Sequence, residues 1–316
     1  MPKIMQITPA LPILLLDTPG AQLSALLGLR DILAMPPRLA PDCAPLDLQI
    51  CAARDLPDGP VAAFVFAPST EGARPSAGDP VLAWAARQHA NGALASSVCA
   101  GAFWLAEAGV LSGRAATTHW ALEEDFRQAH PDVHLAPEHI LVDDGDVVTA
   151  GGLMAWTDLG LHLAGRWYGA DMVNRLARHL LIDPAGREQR AYSTFRPPRQ
   201  HGDSAVLEVQ RHMDRHYGEP LTVPKLARIA ALSERSFVRR FTAATALPPA
   251  SYLQALRIEK ARGALERTAA SVAQIAWDCG YRDTAAFARA FKSVTGLTPG
   301  AYRARFRPKS SSSPRE

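Results

Sequence analysis

A segment near the C-terminus of this chain occurs twice. At the start of the repeat, similar residues lie 49 positions apart, in the pairs Val223 and Val272, Leu226 and Ile275, and Ala227 and Ala276. After a slip of one residue, matching residues lie 50 positions apart, in the pairs Ser233 and Asp283, Phe237 and Phe287, Arg239 and Arg289, Phe241 and Phe291, Thr245 and Thr295, Leu247 and Leu297, Pro249 and Pro299, and Tyr252 and Tyr302. Since an internal repeat fixes architecture before single residues are interpreted, this part of the chain is predicted to hold two copies of one supersecondary unit.

The first copy has the pattern of a helix-turn-helix. A short helix is predicted over Val223–Ala230, and Ser233 is a good N-cap for a second helix because its hydroxyl accepts a bond from a free backbone N–H. Phe237 and Phe241 lie four residues apart on that second helix, so both are expected to face the core. Pro249–Arg267 is predicted to be a single helix connecting the copies, with three residues facing inward: Tyr252, Leu256 and Ala261.

The second copy repeats the pattern. Val272–Cys279 is the predicted first helix, and Gly280 suits a tight turn that needs a positive φ. Asp283 is the predicted cap of the second helix, on which Phe287 and Phe291 face the core. Two helix-turn-helix units on one small domain indicate a protein that reads double-stranded DNA.

The N-terminal part of a recognition helix reaches base edges in the major groove, so the exposed residues there are candidate DNA contacts. Arginine suits this role because its guanidinium bonds guanine or phosphate with two parallel N–H groups, and alanine can contact a thymine methyl. The candidates are Arg235, Ser236, Arg239, Thr284, Ala285, Arg289 and Lys292. The alternative for the arginines is an ion pair within the domain, for example with Glu259.

The charge is distributed unevenly along the chain. Residues 204–316 hold 19 Lys and Arg against 9 Asp and Glu, a formal charge of +10, whereas residues 1–203 hold 15 against 22, a charge of −7. A basic part joined to an acidic part is typical of a DNA-binding domain linked to a domain of another kind. A nonspecific architectural DNA-binding protein remains an alternative, and it would show a steep salt dependence with little sequence preference.

The N-terminal part alternates between predicted strands and helices, which favours a mainly parallel sheet covered by helices. The predicted strands are Pro12–Leu16, Leu46–Cys51, Val61–Ala67, Ala93–Val98 and Ala115–Thr118. The predicted helices are Gln22–Leu33, Pro80–Ala90, Ala100–Ala108, Ala121–Ala129, Leu153–Trp167 and Asp171–Leu181. His139–Thr149 is predicted to be a hairpin turning at Asp143–Asp146. The expected fold is therefore an α/β domain followed by an all-α domain with two helix-turn-helix units.

Composition sets the expected limits of these domains. Residues 9–182 are predicted to form the α/β domain, the Pro- and Gly-containing stretch 183–203 a linker, residues 204–306 the DNA-binding domain, and the serine-rich residues 307–316 a disordered tail. The run Leu11–Leu16 is too short to span a membrane, and no signal peptide is expected. The cysteines Cys43, Cys51, Cys99 and Cys279 have no metal-site spacing or disulfide density, which favours the cytoplasm.

Cys99 lies where the fourth predicted strand meets a helix, among small residues. Such a junction predicts a sharp turn like a nucleophile elbow, and the dipole of the following helix is expected to lower the thiol pKa. His119 follows the next predicted strand, Ala115–Thr118, so the two side chains are expected at the same edge of the sheet, where open α/β sheets bind ligands.

The C-terminal motifs resemble the AraC/XylS family of bacterial transcription factors. The resemblance rests on Ser233-x-Arg235-x-Phe237-x-Arg239-x-Phe241, Pro249-x-x-Tyr252, Arg257-x-x-x-Ala261, Ile275-Ala276-x-x-x-Gly280-Tyr281-x-Asp283-x-x-x-Phe287-x-Arg289-x-Phe291-Lys292 and Gly296-x-x-Pro299-x-x-Tyr302-Arg303. It implies two recognition helices in successive major grooves on one face of the DNA. The chain departs from the family pattern at Ala246, where the family has the glycine that is kept as Gly296.

The N-terminal motifs resemble PfpI-like, class I glutamine-amidotransferase-like domains, in particular the GlxA-like subgroup fused to AraC-type domains. The resemblance rests on Ser97-Val98-Cys99-Ala100-Gly101-Ala102-Phe103, Gly113-Arg114-x-Ala116-Thr117-Thr118-His119-Trp120, Val142-Asp143-Asp144-Gly145, Thr149-Ala150-Gly151-Gly152 and Asp158-Leu159-x-Leu161-His162. It implies a flavodoxin-like sandwich, usually dimeric, that senses a small and often nitrogen-containing metabolite. The candidate effector pocket comprises Cys99, Gly101, His119, Thr149 and Gly151. The alternative for Cys99 is a small, inert, buried residue at a tight turn.

The chain departs from the enzymes of that superfamily at two places. Ala25 stands near the position where an early helix carries the catalytic carboxylate, and Ala67-Pro68-Ser69-Thr70 replaces the glycine pair that supplies oxyanion donors. The expected protein is therefore not an enzyme and needs no cofactor or metal.

We therefore expect a cytoplasmic homodimeric regulator that binds promoter DNA and a small effector, that contacts RNA polymerase if it is an activator, and that involves no membrane. The main alternative is a cysteine-dependent amide or isonitrile hydrolase, or a deglycase, with a regulatory DNA-binding tail.

Overall fold

The computed structural model describes residues 11–184 and 187–308, and it divides into two compact units between Arg190 and Ala191. No helix among these residues is both long and apolar enough to cross a bilayer. Of the predicted tail, residues 309–316 lie outside the described residues, as do residues 185 and 186 of the predicted linker. The domain limits drawn from composition stay a prediction.

The first unit is built on a six-stranded sheet with the order β2-β1-β3-β4-β8-β7. All neighbours in it are parallel except β7 and β8, which form the predicted hairpin. The strands are β1 (Ile13–Asp17), β2 (Leu48–Ala52), β3 (Ala63–Phe66), β4 (Leu94–Val98), β5 (Ala115–Ala116), β6 (His134–Leu135), β7 (Leu141–Asp143) and β8 (Val147–Ala150).

Helices cover both faces of this sheet. The helices of this unit are α1 (Leu23–Ala34), α2 (Pro36–Leu39), α3 (Pro80–Ala90), α4 (Gly101–Glu107), α5 (Glu123–Ala129), α6 (Trp156–Tyr168) and α7 (Ala170–Leu180). Since side chains alternate along a strand, Leu14 and Leu16 pack with residues of α3, α4 and α5, whereas Ile13 and Leu15 pack with residues of α1, α6 and α7. The flavodoxin-like sandwich with a mainly parallel sheet is therefore confirmed.

One predicted strand of the sheet is wrong. Ala115–Thr118 was expected beside the other strands, but β5 covers only two residues and pairs with β6 in a separate two-stranded sheet. The place next to β4 is occupied by β8, with Ala95 opposite Val147 and Val98 opposite Ala150. This pairing joins segments about fifty residues apart, so a local hydrophobic pattern does not reveal it.

The second unit is all helical, as predicted. Its helices are α8 (Ser204–His216), α9 (Val223–Ile229), α10 (Glu234–Thr245), α11 (Pro249–Arg267), α12 (Val272–Asp278), α13 (Thr284–Thr295) and α14 (Pro299–Phe306). The side chains of Ser233 and Asp283 accept bonds from the first backbone N–H groups of α10 and α13, as expected of N-caps.

The connecting helix α11 has the predicted bounds and serves two hydrophobic cores. Tyr252 and Leu256 pack in the core with α8, α9 and α10. Ile258 and Ala261, one to two turns further on, pack in the core with α12, α13 and α14. Each helix-turn-helix therefore has its own core, and a single rigid helix joins the two.

Candidate functional site

The junction between β4 and α4 has the sharp turn that the sequence predicts. Cys99 has φ of 55°, in the left-handed region that residues with a side chain rarely adopt. A Cβ atom at Gly101 would lie 2.6 Å from the carbonyl oxygen of Phe66, so only glycine lets α4 begin so close to β3. The sulfur of Cys99 lies within hydrogen-bonding reach of the backbone N–H groups of Ala100 and Gly152.

The predicted lowering of the thiol pKa is wrong. Burial raises the pKa of Cys99 to about 11, and the two backbone N–H groups offset only part of that rise. The side chain is 3% exposed, so loss of hydration outweighs the helix dipole that the sequence argument relied on. The thiol is therefore protonated at neutral pH, and a protonated thiol is a poor nucleophile.

His119 reaches the neighbourhood of Cys99 by a route other than the predicted sheet strand. The Thr118 hydroxyl donates to the carbonyl oxygen of Cys99 at 2.8 Å, and the Thr117 N–H donates to the Thr149 hydroxyl at 2.8 Å. The His119 ring accepts from the N–H of Ala121 at 3.0 Å, and burial lowers its pKa. Neutral imidazole is consequently the form present at neutral pH.

Gln189 fixes this segment, and it is not among the residues predicted from the sequence. Its side-chain amide donates to the carbonyl oxygens of Thr118 at 2.8 Å and His139 at 2.9 Å, and its oxygen accepts from the N–H of Trp120 at 3.1 Å. The same amide lies against Gly151, where a Cβ atom would collide with it. Gln189 stands in the stretch predicted as linker, where a single polar residue carries no periodic signal.

Several buried polar side-chain atoms of the first unit have no hydrogen-bond partner among the described residues. They include the side-chain oxygen of Gln22, the indole nitrogen of Trp156 and the hydroxyl oxygens of Ser96 and Ser97 on β4. Gln22 precedes α1, and its backbone N–H donates to Pro68, just beyond β3. Trp156 begins α6, four residues after Gly152. Buried polar groups are normally bonded, so the Gln22 oxygen and the Trp156 nitrogen are candidates for contact with a polar ligand or an ordered water.

The sequence departs from the pattern of the superfamily's enzymes at Ala25 and in the segment after β3. Ala25 is fully buried on α1 and offers no carboxylate. Pro68 has no N–H, and its carbonyl oxygen accepts from Gln22. Pro68 therefore offers no backbone donor at this point after β3.

In the second unit, α10 buries one face and exposes the other. Phe237 and Phe241 are fully buried, as predicted from their spacing. Arg235 and Arg239 are exposed, and Ser236 is half-buried beside the cap. Within residues 11–184 and 187–308, neither arginine forms an ion pair. Glu259, their alternative partner, is bonded to Arg262 and to the N–H of Phe195.

Helix α13 repeats this arrangement. Phe287 and Phe291 are fully buried. The other candidate contacts of the second copy are all exposed: Thr284, Ala285, Arg289 and Lys292. Arg289 lies 3.8 Å from the cap Asp283, with its side chain 73% exposed, so solvent screens this contact strongly.

The repeat extends to individual hydrogen bonds. The Thr245 hydroxyl donates to Phe241 at 2.8 Å and lies 3.0 Å from the carbonyl oxygen of Leu247. The Thr295 hydroxyl makes the same two contacts, with Phe291 and Leu297, at the same distances. Two units built this alike present Arg239 and Arg289 at equivalent positions.

The comparisons with known proteins match both units. A model described as a helix-turn-helix domain matches residues 226–305, and a model of the DJ-1/PfpI family matches residues 70–165. The HTH-type transcriptional regulator ArgR of Pseudomonas aeruginosa is 32% identical over 231 residues, which are 71% of this chain and 69% of ArgR.

Two further relatives differ in kind, since one is named as a regulator and the other as an enzyme. The HTH-type transcriptional regulator GlxA of Rhizobium meliloti is 31% identical over 212 residues, which are 66% of this chain and 64% of GlxA. The isonitrile hydratase of Pseudomonas putida is 32% identical over 187 residues, which are 56% of this chain and 80% of the hydratase. The matches to ArgR and GlxA include both units and confirm the resemblance seen in the sequence. This chain belongs to the family of HTH-type transcriptional regulators that join a DJ-1/PfpI domain to an AraC-type helix-turn-helix domain.

Proposed function

We propose that this regulator recognises specific promoter sequences through α10 and α13 and responds to a small effector bound at the Cys99 edge of its first unit. The observation that carries the DNA-binding proposal is the equivalence of Arg239 and Arg289. Both are exposed on the capped recognition helix of a repeated unit.

The roles of the DNA-binding residues follow from their chemistry. Arg235, Arg239 and Arg289 carry guanidinium groups that bond guanine edges with two N–H groups. The Ala285 methyl and the Thr284 side chain at the start of α13 suit contact with thymine methyl groups. The remaining candidates, Ser236 and Lys292, suit phosphate oxygens, which position the protein without reading sequence.

The effector pocket is proposed at the carboxyl ends of the strands, around Cys99, Gly101, His119, Thr149 and Gly151. Support comes from the left-handed backbone of Cys99 and from two of the unpartnered buried atoms, the Gln22 oxygen and the Trp156 nitrogen. One acceptor and one donor suit a metabolite that both donates and accepts hydrogen bonds, such as an amide or an amine-containing compound.

The effector then acts by shifting a conformational equilibrium. We propose a cytoplasmic homodimer in which effector binding favours one arrangement of its DNA-binding units over another. An activator of this design also contacts RNA polymerase.

Fluorescence anisotropy of the full-length protein tests the DNA-binding proposal. The labelled duplexes are the region upstream of its own gene and a scrambled duplex of equal length, at near-physiological salt. We expect a preference of about a thousandfold or more for one fragment. Arg239→Ala and Arg289→Ala should each cost about 1–3 kcal/mol of specific binding.

Arg211→Ala is the matched control, because Arg211 is similarly exposed but lies on α8, which is not one of the two recognition helices. Unchanged specific affinity in Arg239→Ala and Arg289→Ala would remove these residues from the base-reading role. Equal affinity of the wild type for all sequences would favour the architectural alternative.

Hydrolysis is the second candidate, and the similarity to isonitrile hydratase favours it. The buried, protonated thiol, the missing carboxylate at Ala25 and the missing N–H at Pro68 argue against it. We expect no turnover of isonitriles or simple amides. Turnover that disappears in Cys99→Ser would establish the enzyme instead.

A screen of amines, amino acids and amides by thermal shift tests the effector site. A stabilising compound should lose its effect in His119→Ala and in Gln22→Ala. Stabilisation that survives both substitutions would place the effector elsewhere.

A further inference from the structure

The turn of the second helix-turn-helix is one residue longer than that of the first, and the additional residue is Arg282. Leu232 and Tyr281 are equivalent, because their backbone N–H groups donate to the equivalent residues Ala227 and Ala276 at 3.0 and 2.9 Å. In the first copy the cap Ser233 follows Leu232 at once. In the second copy Arg282 stands between Tyr281 and the cap Asp283, which accounts for the change in repeat spacing from 49 to 50.

The inserted arginine is held against an exposed tryptophan. The guanidinium carbon of Arg282 lies 4.3 Å from the ring centroid of Trp277, whose side chain is 57% exposed on α12. The first copy has Arg228 in place of Trp277, so it has neither the ring nor the inserted cation. A guanidinium stacked on a ring keeps its edge N–H groups available, and in the described ranges Arg282 forms no ion pair.

The location of this pair relates it to DNA. Arg282 directly precedes the N-cap of α13, and it therefore lies at the same end of the helix as Thr284 and Ala285. A helix that enters the major groove by this end has a phosphate strand on either side of it. Phosphate contacts from such flanking cations fix the position of the protein without contributing sequence information.

We propose that Arg282, stacked on Trp277, is a phosphate clamp that anchors the second helix-turn-helix on the DNA backbone. The inference rests on the proposed DNA-binding function and adds two residues that the candidate set does not contain. The ring restricts the guanidinium before DNA arrives, so less side-chain freedom is lost when the contact forms. The first copy lacks this stacked pair, because it has the exposed Arg228 at the position of Trp277.

Anisotropy titrations of the full-length protein at several salt concentrations test the clamp. The probes are the specific duplex and the scrambled duplex. Loss of one phosphate contact should reduce the slope of log affinity against log salt by about 1, which corresponds to about fivefold weaker binding at physiological salt. Arg282→Ala should produce this loss equally on both duplexes, whereas Arg289→Ala should weaken mainly the specific one.

Trp277 provides a second test with a conservative control. Trp277→Ala should give a smaller loss of the same kind, and Trp277→Phe should restore most of it because a ring is retained. Far-ultraviolet circular dichroism and thermal midpoints establish that each variant is folded.

The outcomes separate the clamp from the proposed function. If wild-type protein prefers its operator but Arg282→Ala leaves the salt slope and the scrambled-duplex affinity unchanged, the clamp is wrong and the function stands. If Arg282→Ala and Trp277→Ala instead reduce transcription in a reconstituted assay without changing DNA affinity, Arg282 and Trp277 form a protein-contacting surface. If the wild type binds neither duplex, both proposals fail.

Discussion

The two helix-turn-helix units share their core residues and differ in how their turns are made. Gly280 and Gly296 have φ of 80° and 76° in the second copy. The equivalent residues of the first copy, Ala231 and Ala246, have φ of 52° and 59°. The backbone therefore follows the same path in both copies, although only the second copy has glycine, the residue that favours a positive φ.

This difference shows that the fold, not the local residue, dictates these turns. A residue with a side chain in the left-handed region lowers the stability of the fold by about 1–2 kcal/mol. The first copy therefore contains two strained alanines, and tertiary packing must offset their strain. The family glycine that is missing at Ala246 is thus replaced without loss of the turn. The ion pair between Asp203 and Arg240 contributes to the stability of the first copy only. In the second copy, the residue equivalent to Arg240 is Ala290.

The largest expected effect comes from replacing Gly280 by alanine, the residue that the first copy has at the equivalent position. A Cβ there would lie 2.8 Å from the carbonyl oxygen of Gly218 and 2.6 Å from the guanidinium of Arg257. That guanidinium is fixed by bonds to the carbonyl oxygens of Tyr217 and Glu219, both at 2.8 Å. Gly280→Ala should therefore lower the stability of the second helix-turn-helix copy by about 3 kcal/mol, combining the unfavourable φ with the collision.

Native-state hydrogen exchange of the full-length protein measures this effect, because it reports the opening of α12 and α13 separately from the rest of the chain. Gly300→Ala is the control, since Gly300 lies in α14 with no atom within 4 Å of the added Cβ. Equal, small changes in both variants would mean that the two turns are not constrained differently.

An exchange of residues at the next turn should give an effect of intermediate size. Ala246→Gly removes a strained residue from the first copy, and Gly296→Ala introduces one into the second copy. We expect changes of about 1 kcal/mol in opposite directions, measured by exchange protection in α10 and α13 respectively. Two changes of the same sign would contradict the interpretation that φ alone separates these positions.

The smallest effect should come from removing the Asp203–Arg240 ion pair, which only the first copy has. The guanidinium of Arg240 holds the pKa of Asp203 below its ordinary value. Because the folded-state pKa is lowered, the stabilisation is present above the unfolded value near pH 4 and is lost as the pH falls through the folded value.

Asp203→Asn keeps a capping side chain for α8 but removes the charge. It should destabilise the first helix-turn-helix copy at pH 7 by less than either turn substitution, and the difference from wild type should shrink below about pH 4. The loss should appear in α8 and α10 and leave α13 unaffected. A pH-independent difference would assign the effect to the cap rather than to the ion pair.

The same contrast explains how much the sequence reveals. Phe237, Phe241, Phe287 and Phe291 follow helical spacing, so the buried faces, the caps and the exposed arginines were predictable from local pattern. The partner of β4 was not, because its pairing with β8 joins distant segments. The pKa of Cys99 and the bonds of Gln189 depend on burial, which exists only after the chain has folded.

Helix α11 has a consequence for the operators that this protein recognises. Because both cores share it, the two recognition helices are set at one fixed spacing and one fixed angle. Inserting a single base pair between the two halves of an operator would shift one half by about 3.4 Å and rotate it by about 35° around the DNA axis. The protein has no joint within α11 to follow that shift, so operators should tolerate base substitutions between the half-sites far better than insertions or deletions.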